Sequence, residues 1–223
     1  MMGMLKDPFS FFAYHNKVWR LLDKTGRSIL DVGCGRGSFM RIINGRRKFF
    51  TVGCDLYLPF LKECKQNKIY DEHVLCDARF LPFRRCAFDI VLCLEVIEHL
   101  PKKDSLRLLK QMEEIAQQQI VISTPIGFKK QFQDLVSQNP FQTHKCGWTL
   151  KELKKLGFND FLGDGFFLYD RLRGDAGSPF LFIRKIISVI ISYLLNPITS
   201  FRLSLAYSVI CAKNVHKQRN DKL

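Results

Sequence analysis

Residues 29–37, ILDVGCGRG, constrain the fold of this chain more than any other segment. A short apolar run leads into three glycines at alternate positions, and a helix-forming stretch follows from Ser38. Glycine allows positive φ and a close approach of the backbone to a ligand, and the start of a helix offers free N–H groups to an anion. The segment therefore predicts a strand, a tight turn and a helix that together bind a ligand.

Short apolar runs alternate with helical stretches along most of the chain. The runs predict strands at 28–32, 49–54, 73–76, 88–94, 120–123 and 158–169. The apolar spacing between and around them predicts helices at 9–23, 38–44, 59–66, 104–117 and 149–156. Repeated strand–helix units with continuous apolar strands are typical of an α/β fold in which helices cover both faces of a parallel, doubly wound sheet.

The predicted organisation is one domain over residues 1–212. The helix at 9–23 is interpreted as an amino-terminal lid, residues 127–146 and 179–201 as insertions, and residues 213–223 as a loose basic tail. Tyr14 and His15 in the lid could close over a bound ligand, but they are interpreted as packing residues.

Charge and cysteine content indicate the surroundings rather than the chemistry. The 35 Lys and Arg residues outnumber the 21 Asp and Glu residues, and the net charge of +14 favours anionic surroundings such as nucleic acid, a membrane surface or acidic substrates. The eight cysteines form no CxxC pair, so a zinc ribbon or finger is not indicated. The first residues lack an uninterrupted apolar region with a cleavage site, so no secretory signal is expected. A reduced, cytoplasmic protein is predicted.

The hydrophobic insertion at 179–201 has two interpretations. Its longest uncharged stretch, 186–201, contains Asn196 and Pro197 and is shorter than the roughly 18 apolar residues that a membrane-spanning helix needs. The segment either caps the edge of the sheet or lies on an anionic bilayer with Arg184 and Lys185 near the headgroups, as a peripheral membrane element.

Two carboxylates indicate the ligand of the glycine turn. Asp55 ends the second predicted strand, 22 residues after Gly33, where it can accept hydrogen bonds from ribose hydroxyls. Residues 33–38, GCGRGS, lack the third glycine of GxGxxG, and a pyrophosphate would face Asp31, so NAD is disfavoured. A ligand with a cation for Asp31 and a carboxylate for the backbone N–H groups around 33–37 fits better. S-adenosylmethionine has these groups.

Four motifs carry a resemblance to a known family over residues 25–165: DVGCGRG at 31–37, CDL at 54–56, CDARFLPF at 76–83 and FDIVLCLEVIEHL at 88–100. They resemble class I S-adenosylmethionine-dependent methyltransferases, in the broad methyltransferase type 11 group that includes ubiquinone and menaquinone biosynthesis enzymes. The resemblance implies a Rossmann-like, seven-stranded, mostly parallel sheet in the order 3-2-1-4-5-7-6, with 203–212 as the last, antiparallel strand.

The resemblance also implies roles for individual residues at the cofactor. Asp77 would accept from the adenine amino group, Ala78 would contact the ring through its backbone, and Leu56 with Phe80 or Leu81 would flank the base. The complete set of predicted cofactor-binding residues is Asp31, Gly33, Cys34, Gly35, Gly37, Asp55, Leu56, Asp77, Ala78 and Leu94.

A second group of residues follows the fourth predicted strand. If the chain turns helical at Glu95, the spacing puts Glu95, Glu98 and His99 on one face that could hold a divalent metal. His144 stands in HKCGW at 144–148, just before a predicted helix. ExxEH followed by HKxxW resembles small-RNA 3′-terminal 2′-O-methyltransferases, which bind magnesium through two glutamates and two histidines. Ubiquinone O-methyltransferases share the ExxEH part.

The sequence leaves the use of this second group open. We predict Glu95, His99 and His144 as catalytic residues without a metal, with the metal ligand set Glu95, Glu98, His99 and His144 as the alternative and simple packing as a third. The predicted function is O-methylation of a small or lipid-linked acceptor shaped by the insertions. The alternatives are a metal-dependent RNA 2′-O-methyltransferase and a non-catalytic cofactor-binding protein that docks on a membrane or a partner.

Overall fold

Seven strands form one sheet in the order β3-β2-β1-β4-β5-β7-β6. The computed structural model describes residues 8–43, 49–129, 139–166, 198 and 202–215. The strands are β1 (Ser28–Val32), β2 (Phe50–Asp55), β3 (Glu72–Leu75), β4 (Phe88–Leu94), β5 (Ala116–Pro125), β6 (Asp160–Phe166) and β7 (Ala206–Asn214). The helices are α1 (Pro8–Leu21), α2 (Ser38–Ile43), α3 (Leu58–Gln66), α4 (Lys102–Ile115) and α5 (Leu150–Lys155).

The strand directions confirm the predicted doubly wound sheet. β1 lies between β2 and β4 and is parallel to both, while β7 lies antiparallel between β5 and β6. The last strand begins and ends later than predicted, because a 3₁₀ turn occupies Leu203–Leu205 and Lys213 still belongs to β7. The Lys213 ammonium group donates to Glu113 at 2.6 Å, so this residue is fixed to the domain and is not part of a loose tail.

Residues of each central strand alternate between two apolar layers. In β4, Val91 and Cys93 pack into the layer below α4, whereas Ile90 and Leu92 pack into the layer below α1, α2 and α3. All four side chains are fully buried. Burial on both faces explains why the strand sequences read as continuous apolar runs.

The helices follow from their own sequences. The buried positions of α4 recur every three or four residues, which is the period of one helical face, and they are Ser105, Leu108, Leu109, Met112 and Ile115. The Thr149 side chain accepts from the Glu152 N–H at 3.2 Å while the Glu152 carboxylate accepts from the Thr149 N–H at 2.8 Å, and this capping box starts α5.

Several predicted segments fall outside the described residues. These are 130–138 within the first insertion, the hydrophobic insertion 179–201 apart from Ile198, and 216–223 at the carboxyl end. In the part of the chain that the structure describes, no helix has the length and apolar character needed to cross a bilayer.

Candidate active site

Three glycines shape the turn after β1. Gly33, Gly35 and Gly37 have φ angles of +68°, +53° and +68°, a region that residues with a Cβ rarely adopt. A Cβ at Gly33 would lie 2.4 Å from Val96 Cγ2, and one at Gly37 would lie 2.7 Å from Ile69 Cγ2. A Cβ at Gly35 would meet nothing within 4 Å. Two of the glycines therefore allow close packing, and Gly35 borders open space into which a ligand can fit.

Several amides of this turn are already used inside the protein. The N–H groups of Gly33 and Cys34 both donate to the carbonyl oxygen of Cys54, at 2.8 and 3.0 Å. The Gly37 N–H donates to the Cys34 carbonyl oxygen at 2.9 Å. The structure differs here from the expectation that amides around 33–37 meet an anion, because the turn closes on β2 through these groups.

Asp55 ends β2 and lies beside Gly35. Its Oδ2 accepts from the Gly35 N–H at 2.8 Å, and its Oδ1 accepts from the Tyr57 N–H at 2.7 Å. These bonds fix the plane of the carboxylate, and each oxygen keeps a lone pair for a further donor. Burial raises the pKa of Asp55. A carboxylate held in this way can accept hydrogen bonds from a pair of ribose hydroxyls.

Asp31 is a buried carboxyl group on β1. The Tyr70 hydroxyl donates to Asp31 Oδ2 at 2.7 Å, and the Tyr70 ring lies against Gly53, where a Cβ would come within 2.7 Å of it. Burial raises the pKa of Asp31 to about 7, the Tyr70 hydrogen bond opposes this rise, and the charge of Asp55 adds to it. A cation beside Asp31 would favour its ionised form, so the site suits an ammonium or sulfonium group.

Asp77 follows β3 and is bound by Arg79. The Arg79 side chain donates from Nε to Asp77 Oδ2 at 2.9 Å and from Nη2 to the same oxygen at 2.6 Å. The backbone N–H of Arg79 donates to Asp77 Oδ1 at 2.8 Å. The guanidinium group lowers the pKa of Asp77. Phe80 is 58% exposed, with the Arg107 guanidinium carbon 4.6 Å from its ring centroid. An adenine amino group at Asp77 would therefore compete with Arg79.

The apolar residues predicted at the cofactor lie at the same edge of the sheet. Leu56 directly follows β2 and is largely exposed, Ala78 follows β3 and is half-buried, and Leu94 ends β4 opposite Ser123. The carboxyl ends of parallel strands form the edge at which doubly wound sheets bind ligands. The structure therefore brings the predicted cofactor residues to one edge.

Glu95 leaves β4 in a different way from the one predicted. Its φ of +57° is incompatible with a right-handed helix starting there, and the 3₁₀ turn that follows covers Ile97–His99. The Ser123 hydroxyl donates to Glu95 Oε1 at 2.9 Å, which ties this side chain to the end of β5. The prediction that Glu95, Glu98 and His99 share one helical face is therefore wrong.

Glu98, His99 and His144 form a compact cluster. A carboxylate oxygen of Glu98 and one ring nitrogen of each histidine all lie within 4.8 Å of one another. Glu98 is 2% exposed and accepts from the Thr124 hydroxyl at 3.1 Å. The two imidazole centroids are 4.9 Å apart. The structure thus assembles three of the four predicted metal ligands, and Glu95 is not among them.

The protonation states of the two histidines follow from their surroundings. His144 Nδ1 lies 2.7 Å from the Lys129 carbonyl oxygen, which can only accept, so Nδ1 carries a hydrogen and donates it to that oxygen. Burial lowers the pKa of His99 to about 4, and His144 adds to this, so His99 is neutral at pH 7. His99 Nδ1 is buried without a hydrogen-bond partner among the described residues. An imidazole beside a carboxylate can accept a proton or bind a divalent cation.

The segment that carries His144 is fixed to the turn that carries Glu98. The N–H groups of Lys145 and Cys146 donate to the Glu98 carbonyl oxygen at 2.7 and 3.2 Å. Trp148 is 1% exposed and anchors the segment in the core. The two motifs meet through backbone hydrogen bonds between residues that are far apart in the sequence.

Three polar residues at this edge were missed by the sequence analysis. Ser123 and Thr124 end an apolar strand at the ligand-binding edge, which is a signal that the sequence does contain. Tyr70 offers no local signal, because its partner Asp31 lies 39 positions away along the chain. Tyr14, which the sequence analysis interprets as a packing residue, also lies within hydrogen-bond distance of Ser123, 109 positions away.

Comparison with known families identifies this domain. Residues 30–119 match a family described as "Methyltransferase domain". Over these residues the chain is similar to S-adenosylmethionine-dependent methyltransferase domains. The human protein "Probable tRNA methyltransferase 9B" is 32% identical to it over 93 residues, which make up 41% of this chain and 19% of that protein. The "tRNA (carboxymethyluridine(34)-5-O)-methyltransferase alkbh8" of Xenopus tropicalis is 30% identical over 79 residues, 35% of this chain and 12% of that protein.

Solved structures confirm the fold of the methyltransferase domain. Geranyl diphosphate C-methyltransferase from Streptomyces coelicolor A3(2), solved with Mg²⁺, geranyl diphosphate and S-adenosyl-L-homocysteine, superposes with a TM-score of 0.61 at 16% identity. The superposition covers 92% of this chain and 77% of that one. The matched part of this chain spans a fifth or less of the two curated relatives named above. The resemblance to the ubiquinone group in particular is not confirmed.

Proposed function

We propose that this chain transfers the methyl group of S-adenosylmethionine to a hydroxyl oxygen of a small or lipid-linked acceptor. The observation that carries the proposal is the position of the Glu98–His99–His144 cluster. It lies at the carboxyl edge of the sheet, two residues beyond Val96, which packs against Gly33 of the glycine turn. A proton acceptor therefore lies next to the turn that would hold the methyl donor.

The residues of the first site fit S-adenosylmethionine. The open space at Gly35 admits the cofactor, and Asp55 presents a fixed carboxylate to the ribose. Asp31, whose buried carboxyl group favours a neighbouring cation, would contact the ammonium or sulfonium group, and Asp77 would accept from the adenine amino group. When bound, the cofactor supplies an activated methyl group on a sulfonium ion.

The cluster would act on the acceptor. His144 Nε2 would take the proton of the acceptor hydroxyl as the oxygen–methyl bond forms and the sulfur–methyl bond breaks. The Glu98 carboxylate would stabilise the imidazolium that results, as a carboxylate does beside a catalytic histidine. His99, which stays neutral because its pKa is about 4, would orient the hydroxyl through a hydrogen bond.

Exposed aromatic side chains support an acceptor with an apolar part. Phe128 is 60% exposed and directly precedes Lys129, whose carbonyl oxygen binds His144. Phe141 is 44% exposed and lies three residues before His144. Two exposed aromatic side chains that lie close in sequence to the proton acceptor and to its backbone partner suit a ring or an acyl chain.

Incubation with methyl-labelled S-adenosylmethionine and fractionated extracts tests the proposal. We expect label in the small-molecule or lipid fraction, and we expect His144→Ala to lower kcat by about 10² or more while cofactor affinity is kept. Thr143→Ala, at an exposed neighbouring position, is the matched control and should retain activity. Binding of the cofactor without transfer to any fraction would instead indicate a non-catalytic cofactor-binding protein.

A metal-dependent RNA 2′-O-methyltransferase is the second candidate, because the cluster supplies two imidazoles and a carboxylate at metal-ligand spacing. The net charge of +14 suits a polyanionic acceptor, and two relatives are named as tRNA methyltransferases. Glu98, His99 and His144 would hold the cation, which would lower the pKa of the acceptor hydroxyl.

A chelator separates the two candidates. If RNA is the labelled fraction, and if a chelator abolishes the transfer and a divalent cation restores it, the second candidate is correct. Transfer to a small or lipid-linked acceptor that persists in the chelator supports the first candidate and excludes an essential metal.

A further inference from the structure

A buried polar chain joins the lid helix α1 to the end of β4. The Tyr14 hydroxyl lies 2.6 Å from Ser123 Oγ, and Ser123 Oγ lies 2.9 Å from Glu95 Oε1. Tyr14 is 8% exposed and Ser123 is fully buried. Three elements that are distant in the sequence therefore meet through two side-chain hydrogen bonds.

Counting hydrogens and lone pairs shows which group donates in each of these hydrogen bonds. The Ser123 hydroxyl has one hydrogen and two lone pairs. Its hydrogen goes to the Glu95 carboxylate, which only accepts, and one lone pair receives the Glu95 N–H at 3.0 Å. Tyr14 must therefore donate to the remaining lone pair. The Tyr14 proton polarises the Ser123 hydroxyl and strengthens the bond that Ser123 donates to Glu95.

Glu95 needs such support because its backbone is strained. Its φ of +57° lies in the left-handed region, which residues with a Cβ rarely adopt. Two hydrogen bonds from its N–H, to the carbonyl oxygen and the hydroxyl of Ser123, hold this conformation. Strain that is held by several bonds at a ligand-binding edge points to a functional constraint on the side chain.

The lid helix is fixed so that Tyr14 reaches this place. Lys17, one turn along α1, donates to the Gly163 carbonyl oxygen at 2.6 Å and to the Asp164 carboxylate at 3.1 Å. Tyr14 and Lys17 lie on the same helical face, since they are three residues apart. The face of α1 that meets β5 and β6 is therefore tied down by polar contacts as well as by packing.

We propose that Tyr14 is a positioning residue, which orients the Glu95 carboxylate through Ser123 and so couples the lid helix to the reaction. This inference rests on the proposed function, because it needs methyl transfer at this edge of the sheet, and it adds Glu95, which the sequence analysis predicts as catalytic, to the groups that face the acceptor. Tyr14 acts through Ser123 and is not itself in contact with the acceptor.

Titration of Glu95 tests the proposal without an acceptor. Carbon-13 NMR of protein labelled at the glutamate carboxyl carbon follows each glutamate, and Glu95→Gln assigns the signal. Among the residues that the structure describes, the charged groups around these hydrogen bonds are Glu98, Asp164 and Lys17. We expect Tyr14→Phe to raise the pKa of Glu95 by about half a unit or more, since the bond that stabilises its charged form is weakened. Val18→Ala, which disturbs the packing of α1 alone, should leave that pKa unchanged.

Kinetics provide the second measurement. We expect Tyr14→Phe and Ser123→Ala each to lower kcat about tenfold at unchanged cofactor affinity, and the double variant to lose no more than Ser123→Ala. Independent losses that multiply in the double variant, or a Glu95 pKa that Tyr14→Phe does not move, would overturn the proposal. If Tyr14→Phe shifts the pKa of Glu95 but the protein transfers no methyl group, the proposed function is contradicted, whereas the hydrogen-bonded link from Tyr14 to Glu95 is supported.

Discussion

Replacement of Asp31 by asparagine is expected to change how the stability of the protein depends on pH. In the folded protein, burial raises the pKa of Asp31 from 3.8 to about 7, whereas the unfolded chain exposes the carboxyl group to water. Between these two values the folded state keeps a proton that the unfolded state has lost, so the free energy of unfolding falls as pH rises. Above about pH 7 the folded protein has also lost this proton, so the free energy of unfolding no longer changes with pH through Asp31.

The size of the effect follows from the pKa. One unit corresponds to about 1.4 kcal/mol, so between pH 5 and pH 8 the wild-type protein should lose about 3 kcal/mol of unfolding free energy through this group. Asp31→Asn keeps the shape and can still accept from Tyr70, but it does not titrate. Between pH 5 and pH 8, the free energy of unfolding of Asp31→Asn should therefore rise by about 3 kcal/mol relative to that of the wild type. Carboxylates such as Asp55 are present in both proteins, so their contributions largely cancel.

Urea unfolding followed by circular dichroism at the two pH values measures this difference. Tyr70→Phe is a second variant for which the direction of the effect can be predicted. It removes the hydrogen bond that opposes the raised pKa of Asp31, so this pKa should rise further and the loss of stability should extend to higher pH. If the wild type and Asp31→Asn show the same pH dependence, Asp31 is not a buried carboxyl group of raised pKa and the reasoning is refuted.

Two further predictions concern the cofactor site. Gly33→Ala should destabilise the protein by about 2–5 kcal/mol in urea unfolding, because left-handed backbone strain adds to a clash with Val96. Gly35→Ala should destabilise it by only about 1–2 kcal/mol, because only the backbone strain applies there. Its main effect should be weaker cofactor binding in calorimetry. The converse ranking would contradict the assignment of the open space at Gly35. Arg79→Ala should strengthen cofactor binding up to about fivefold, because an exposed ion pair that competes for Asp77 is removed. Weaker binding would show that Arg79 supports the site.

Local sequence patterns were sufficient for most of the sheet. The continuous apolar run of β4 was located at Phe88–Leu94, where the structure has it, because burial on both faces leaves no polar interruption. The order of the strands came from the family resemblance and is confirmed. The start of β7 was placed too early, because a 3₁₀ turn at Leu203–Leu205 is as apolar as the strand that follows it.

Local sequence patterns predict only part of the candidate site. Spacing predicts that Glu95, Glu98 and His99 share one face, and the family resemblance adds His144. The structure brings Glu98, His99 and His144 together and leaves Glu95 outside this cluster. The left-handed backbone of Glu95 is stabilised by Ser123, a partner 28 positions away, so spacing within the motif could not reveal it. The same applies to Tyr70, whose ring passes over Gly53 of β2 to reach Asp31 on β1.

Calorimetric titration of the purified protein with S-adenosylmethionine tests the central claim most directly. The account predicts binding of S-adenosylmethionine and of its demethylated product, with an affinity that falls at least tenfold in Asp55→Ala because the ribose loses its acceptor. No binding of either compound, or equal affinity in the wild type and Asp55→Ala, would contradict the placement of the methyl donor beside Gly35.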